Sequence, residues 1–285
     1  MKFGQWELTH VSGGKFRIDG GTMFGVVPRI MWERLCPPDE KHLIPQETNC
    51  VLLRDESRTV LVDTGYGSKL TDKQRKIFCT EEGDPLVRNL QEAGVSPEEI
   101  DFVILSHLHF DHAGGATLHD ENGSLKPTFP NAEYIAQRLE WAIATANFPE
   151  LRGVYPQDNL LPLQASGQLR LIDGNVEIIP GIRAWVTGGH TQGHSAIVME
   201  SDGETAIYLG DLCPTSHHLP PLWGMSYDVD MLQLRRAKAE VLAKVANENW
   251  LALFDHDPDI PAARLTRSQD GRIHLDESND DEPCS

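Results

Sequence analysis

Cysteine is scarce in this chain: five in 285 residues, at Cys36, Cys50, Cys79, Cys213 and Cys284, with no CxxC pair among them. An odd, scattered set argues against a disulfide framework and fits reduced thiols. Long apolar runs are missing as well. No stretch approaches the roughly 20 apolar residues that span a bilayer, and residues 1–7 lack the apolar run of a secretory signal. The expectation is a cytoplasmic protein with no membrane partner. Basic residues are outnumbered, 25 Lys and Arg against 43 Asp and Glu, for a net charge of −18. A phosphate-backbone grip rests on clustered cations, so nucleic acid is not expected as a partner. Part of the acid surplus is local, in the run Asp276-Glu277-Ser278-Asn279-Asp280-Asp281-Glu282. One domain over 1–272 followed by an acidic, disordered tail over 273–285 is therefore expected. A serine nucleophile is also missing: Gly188-Gly189 and Ser195-Ala196 form no GxSxG elbow.

Histidine and aspartate are present in a concentrated pattern. His107-Leu108-His109-Phe110-Asp111-His112 places three imidazoles and a carboxylate within six residues, directly after the apolar run Phe102-Val103-Ile104-Leu105. Side chains two apart on an extended segment point the same way, so His107 and His109 can share an ion. A sharp turn there swings Asp111 and His112 towards a second ion. Neutral imidazole and carboxylate suit Zn²⁺, and the same set accepts iron or manganese. Further donors follow apolar, strand-like runs: His190 after residues 182–186, Asp211 after 206–210, and His256 after 250–254. His194, four residues past His190, reads as a packed or hydrogen-bonding neighbour of the site and not as a ligand.

On these residues the chain resembles the metallo-β-lactamase superfamily over nearly its whole length. The signatures are Val62-Asp63-Thr64-Gly65, Ser106 to His112, Gly189-His190-Thr191-Gln192-Gly193-His194-Ser195, Gly210-Asp211 and Asp255-His256, in family order. The resemblance implies a four-layered αββα sandwich and two divalent ions, most simply zinc. It gives His107, His109 and His190 to one ion, Asp111, His112 and His256 to the other, and Asp211 to both. Asp63 would support the metal loop by hydrogen bonding without being a ligand. Water between two such cations is acid enough to give a bridging hydroxide near neutral pH. That hydroxide attacks a carbonyl, and Asp111 carries a proton to the leaving oxygen.

The elements read in the same order. Paired strands are expected over 48–53 and 58–62, a helix from Asp84-Pro85 to Gly94, a strand over 102–105, and a strand and helix over 133–136 and 139–146. A long loop is expected over 147–163. Strands over 176–179, 183–186, 196–200 and 205–209, a helix over 231–245 and a strand over 250–254 complete the second half.

Specificity is read from two loops. Residues 16–28, with Met23 and Phe24, read either as an edge hairpin packed on the core or as an apolar wall over the metals. Residues 213–223, with His218, Leu222 and Trp223, are the other pocket candidate. Both resemble the YtnP-like branch of quorum-quenching N-acyl-homoserine lactonases, which implies ring opening of a small-molecule lactone. Better-known members carry a tyrosine where this chain has Pro214, which makes His218 a candidate for polarising the carbonyl. A glyoxalase-II-like thioesterase and a non-catalytic small-molecule-binding protein are the alternatives, and a homodimer is left open.

Overall fold

Period-two alternation along the strands sets the layers of the fold. In this computed structural model, which describes residues 1–276, the first half begins with β1 (Lys2–Phe3), β2 (Trp6–Asp19), α1 (Gly20–Phe24), α2 (Arg29–Trp32), β3 (Leu43–Arg54) and β4 (Thr59–Val62). It continues through α3 (Asp72–Phe78), α4 (Pro85–Glu92), β5 (Phe102–Ile104) and α5 (Phe110–Ala113). The hairpin β6 (Thr117–His119) and β7 (Leu125–Pro127), β8 (Glu133–Gln137), α6 (Arg138–Thr145), α7 (Leu161–Ala165) and β9 (Leu169–Ile172) complete it. The second half is β10 (Glu177–Ile179), β11 (Ile182–Val186), β12 (Ser195–Ser201), β13 (Glu204–Tyr208), α8 (Met231–Asn247), β14 (Leu251–Leu253), β15 (Ala262–Arg267) and β16 (Ile273–Leu275).

Each half supplies a seven-stranded sheet, ordered β1-β2-β3-β4-β5-β8-β9 and β10-β11-β12-β13-β14-β15-β16. Val51 and Leu53 of β3 meet Ile197 and Met199 of β12 in the core between the sheets. Cys50 and Leu52, one residue out of phase, face Leu86 and Leu90 of α4. Ala196 and Val198 face Leu234, Val241 and Leu242 of α8. Helix, sheet, sheet and helix make four layers, as the resemblance implied. Asp84 caps α4 by accepting the Val87 amide at 3.2 Å, with Pro85 opening the helix.

The chain runs parallel in β4–β5–β8–β9 and in β13–β14. Asp63, His107, Asp211 and His256 follow the C-terminal ends of β4, β5, β13 and β14. In parallel sheets that edge is where loops converge on a crevice. Gly189, at φ +86°, lets the His190 loop press on α8; a Cβ there would stand 2.5 Å from the Leu234 backbone.

Several expectations are corrected. Residues 16–28 form no hairpin: β2 runs to Asp19, whose carboxylate accepts the Thr22 amide at 2.9 Å and starts α1. Met23 and Phe24 are buried in a cluster with Val27, Trp32, Ile44 and Met225. The expected long loop contains the turn Gln157–Asn159 and α7. Residue 272 is not the end of ordered pairing, because β16 pairs with β15 through Leu275 opposite Leu265. The rest of the acidic run, 277–285, lies outside the described residues. No described helix is long and apolar enough to cross a membrane.

Candidate metal centre

Two groups of buried donors meet at the edge where the parallel strands end. His107, His109, His190 and Asp211 form one; His112, Asp211, Asp255 and His256 form the other. Within the first, Asp211 Oδ2 lies 2.8 Å from His190 Nε2 and 3.6 Å from His107 Nε2, and His109 Nδ1 is 3.0 Å from His190 Nε2. Within the second, Asp211 Oδ1 is 3.3 Å from His256 Nε2, which lies 3.2 Å from His112 Nε2. Tetrahedral ligands on bonds of about 2.0–2.1 Å sit about 3.3 Å apart, so these spacings fit a divalent ion in each group. Asp211 is common to both groups, with Oδ2 beside His190 and Oδ1 beside His256.

The supporting hydrogen bonds decide which nitrogen each imidazole presents. Asp63, at a left-handed φ of 58°, accepts four bonds. They come from the Ser106 amide (2.7 Å), Ser106 Oγ (2.6 Å), His112 Nδ1 (2.8 Å) and the Tyr208 hydroxyl (3.0 Å). His107 Nδ1 donates to Ser106 Oγ at 3.2 Å, so one carboxylate orients an imidazole of each group. His256 Nδ1 donates to the Glu47 carbonyl at 2.8 Å, and His190 Nδ1 to Asp228 Oδ1 at 2.9 Å. Each bond leaves an Nε2 lone pair facing the centre, the usual way a ligating imidazole is held.

Buried atoms lacking partners point the same way. Among the described residues His107 Nε2, Asp211 Oδ1 and both Asp255 oxygens accept no hydrogen bond. Buried polar groups are seldom left unpaired, and cations would satisfy these. Burial and the neighbouring imidazoles push His107 and His109 well below the ordinary histidine value, keeping their lone pairs free. Burial also lowers His190 and His112, but Asp211 and their orienting carboxylates outweigh it and push them up to about 10 and about 9. The carboxylates therefore make this a cation-attracting pocket.

Asp111 stands at the edge of the second group, 3.7 Å from His256 Nε2 with its side chain 15% exposed. It faces a cavity of about 360 Å³ with Asp211, His109 and Tyr227 at the polar end. The walls are apolar, chiefly Phe16, Ile18, Ile77, Phe78, Phe110 and Val154. The pocket residues expected from sequence are elsewhere. Met23 and Phe24 belong to the core cluster, Trp223 packs edge-on against Phe24 at 5.6 Å, and Leu222 is exposed to solvent. His218 is not among the residues that line this cavity. Its Nε2 donates to the Met23 carbonyl at 3.0 Å, its Nδ1 meets Thr215 Oγ1 at 2.8 Å, and its ring stacks on Phe24 at 4.9 Å. His194 pairs through Nδ1 with Thr187 Oγ1 at 2.6 Å and stands outside both donor groups.

Three functional groups were missed by the sequence reading. Tyr227 lines the cavity 5.7 Å, ring to ring, from His190. Burial and the surrounding carboxylates hold its hydroxyl well above the ordinary tyrosine value, so it remains a donor. Asp228, next in sequence, orients His190. Glu140 of α6 accepts from the Leu108 amide (3.2 Å), the Gly193 amide (3.2 Å), Thr191 Oγ1 (2.7 Å) and the Tyr155 hydroxyl (2.9 Å), tying the two histidine loops together. The only available signal for Tyr227 and Asp228 was their position just before the α8 cap, Asp230.

Residues 43–256 match the model of the metallo-beta-lactamase superfamily. An N-acyl homoserine lactonase of Bacillus cereus is 30% identical over 222 residues, covering 73% of this chain and 80% of that protein. A probable metal-dependent hydrolase from Staphylococcus aureus superposes with a TM-score of 0.87 at 32% identity, covering 98% of this chain and 99% of the other. AidC, a dizinc quorum-quenching lactonase solved with a product, N-hexanoyl-L-homoserine, shares the fold at a TM-score of 0.79 and 21% identity, covering 97% and 95%.

Proposed function

Because this chain belongs to the metallo-beta-lactamase superfamily and is one of its hydrolases, we propose that it opens the ring of an acyl lactone, most simply an N-acyl-homoserine lactone. The reading takes two divalent ions, zinc in the first instance, with Asp211 between them. The observation that carries it is the cavity whose apolar walls meet Asp111, Asp211 and Tyr227. An acyl chain fits the walls, and a polar ring fits the floor. When bound, such ions supply Lewis acidity at the carbonyl and make water acid enough to attack at neutral pH.

The chain's own residues do the rest. The Tyr227 hydroxyl gives up only a weak 3.7 Å contact to Met23 Sδ when it donates to the carbonyl oxygen. It thereby takes the role first assigned to His218. Asp111 accepts the proton of the attacking water and returns it to the ring oxygen as the acyl–oxygen bond breaks, so water plus lactone gives one hydroxy acid. Phe16, Phe78 and Phe110 keep bulk water from the acyl side.

A glutathione thioester is less well served. Arg17 is the cation lining the cavity, and it is engaged by Asp39 at 3.3 Å and the Leu43 carbonyl at 3.1 Å. The complete donor set disfavours a purely binding role. Purified protein assayed on acyl-homoserine lactones, a glutathione thioester and a phosphodiester, with and without chelator, tests the reading. Chelator-sensitive lactone opening faster than either alternative is expected. Thioester turnover faster than any lactone's would replace it with the thioesterase reading.

A further inference from the structure

The cavity carries a second set of polar groups, away from its buried floor. Asp211 and His109, on the floor, are 2% and 8% exposed. Arg17, Asp19 and Thr22 line the same cavity towards solvent, Arg17 and Thr22 half-buried and Asp19 exposed. Arg17 and Asp19 are two apart at the end of β2, so their side chains leave the strand on the same side. Arg17 is held but not fully used. Its Nε lies 3.3 Å from Asp39 Oδ2, and its Nη2 donates to the Leu43 carbonyl at 3.1 Å. Asp39 is itself pinned, because its Oδ1 accepts the Lys41 and Leu43 amides at 2.8 and 2.9 Å. These contacts fix the guanidinium and leave Nη1 with no hydrogen-bond partner among the described residues. Asp19 is placed in a similar way. Its Oδ1 accepts the Thr22 amide at 2.9 Å and the Thr22 hydroxyl at 3.4 Å, and its Oδ2 has no hydrogen-bond partner among the described residues.

The rim therefore offers a fixed donor and a fixed acceptor on one side of one strand. A hydroxyl suits both, since it can accept from the guanidinium and donate to the carboxylate. A carbonyl uses only Arg17. A carboxylate gains from Arg17 but is repelled by Asp19, and a methyl group leaves both to water. One remaining nitrogen serves a single oxygen atom and makes no clamp for a larger anion.

We propose that Arg17 and Asp19 are specificity-determining residues, and that the preferred substrate is an acyl lactone whose chain carries a hydroxyl group far enough from the ring to reach them. The inference rests on the lactone reading above and adds the far end of the substrate to it. No bond changes at the rim. The contact is the same in the ground state and the transition state, so it lowers KM without raising kcat.

The test is equilibrium binding of N-acylcyclopentylamides, which have no ester to cleave, to the zinc-loaded protein. The probes form a ladder of chain lengths, each ending in a methyl, a hydroxyl or a carboxylate. At the length that reaches the rim, the hydroxyl probe should bind about tenfold more tightly than the methyl probe, as one hydrogen bond to a charged group allows. The carboxylate probe should bind more weakly than the hydroxyl probe. Shorter hydroxyl probes should lose the advantage, because their oxygen stays among apolar walls. Arg17→Met, which keeps the apolar stem, should bring the hydroxyl-to-methyl ratio to about one. Asp19→Asn, which preserves the cap of α1, should move the ranking towards the carboxylate probe. Each ratio is taken within one protein, so a general loss of stability cancels. A hydroxyl probe that binds no better than its methyl counterpart at any length would overturn the inference, as would a preference that survives Arg17→Met. Kinetics on the matching lactones keeps the two readings apart. Lactone turnover with no hydroxyl preference sinks the rim assignment alone. Hydroxyl-selective binding with no lactone turnover sinks the lactonase reading and upholds the rim.

Discussion

His190 Nδ1 donates to Asp228 Oδ1 at 2.9 Å, with neither side chain exposed to solvent. The second carboxylate oxygen accepts the Met225 amide at 2.7 Å, which fixes the plane of the acid. The pair dictates the tautomer of His190 and so the lone pair it presents. Asp228→Ala should therefore weaken metal binding and lower kcat/KM by about 10–100-fold. Zinc titration alongside steady-state kinetics measures both; a variant unchanged in both would mean that the contact is incidental.

Phe78 and Trp223 separate the observed cavity from the expected one. Phe78 lines the apolar wall, 5.2 Å from the Phe110 ring, whereas Trp223 packs on Phe24 away from it. Phe78→Ala should raise KM for long-chain lactones more than for short ones, with kcat little changed. Trp223→Ala should show no chain-length dependence and act through stability alone. A reversed pattern would move the acyl site to the 213–223 segment.

Glu140 holds Leu108 of one histidine loop and Gly193 of the other through their amides. Removing it strands two buried donors together with the hydroxyls of Thr191 and Tyr155. Glu140→Ala should cost about 2–4 kcal/mol in urea unfolding of the zinc-loaded protein. On the two-ion reading it should also loosen both ions, since each loop carries residues of the donor groups. A loss below about 0.5 kcal/mol would show that the loops hold without it.

Acid stability follows from two imidazoles away from the centre, His218 buried and His10 half-buried. Burial lowers His218 to about 3 and His10 to about 4. In both cases the unfolded chain binds protons below pH 6.5 while the folded chain does not. Stability is present above pH 6.5 and is lost as the pH falls towards 4, by about 1.4 kcal/mol per pH unit for each group. His218→Gln, which keeps a donor for the Met23 carbonyl, should flatten that slope by about one proton. Urea midpoints between pH 7 and 4.5 measure it, and an unchanged slope would refute the assignment.

Much of the centre was legible because its candidate donors are tied to strand ends. His107, His109, His112, His190, Asp211 and His256 follow apolar runs, and the structure gathers their side chains. Asp63, just past β4, was legible only through the resemblance. What escaped was set by packing between distant segments. Whether Met23 and Phe24 face a cavity or a core depends on Trp32, Ile44 and Met225, to which no local pattern refers. Tyr227 and Asp228 are single polar residues whose direction is set by partners dozens of residues away, Met23 and His190. The short strands β9, β15 and β16 carry half-buried, mixed sequences and give little alternation to read.

Donors from positions 107 to 256 reach the centre from both sheets, and that has a kinetic consequence. The first half cannot assemble either donor group without Asp211, nor the second without the histidines of the first. Ions can then bind tightly only after the two sheets have docked, when the entropy of closing that long stretch of chain has already been spent. Interactions formed after the rate-limiting barrier slow unfolding without hastening folding. Zinc should accordingly leave the refolding rate almost untouched and lengthen the lifetime of the folded state, acting as a latch on an already closed sandwich.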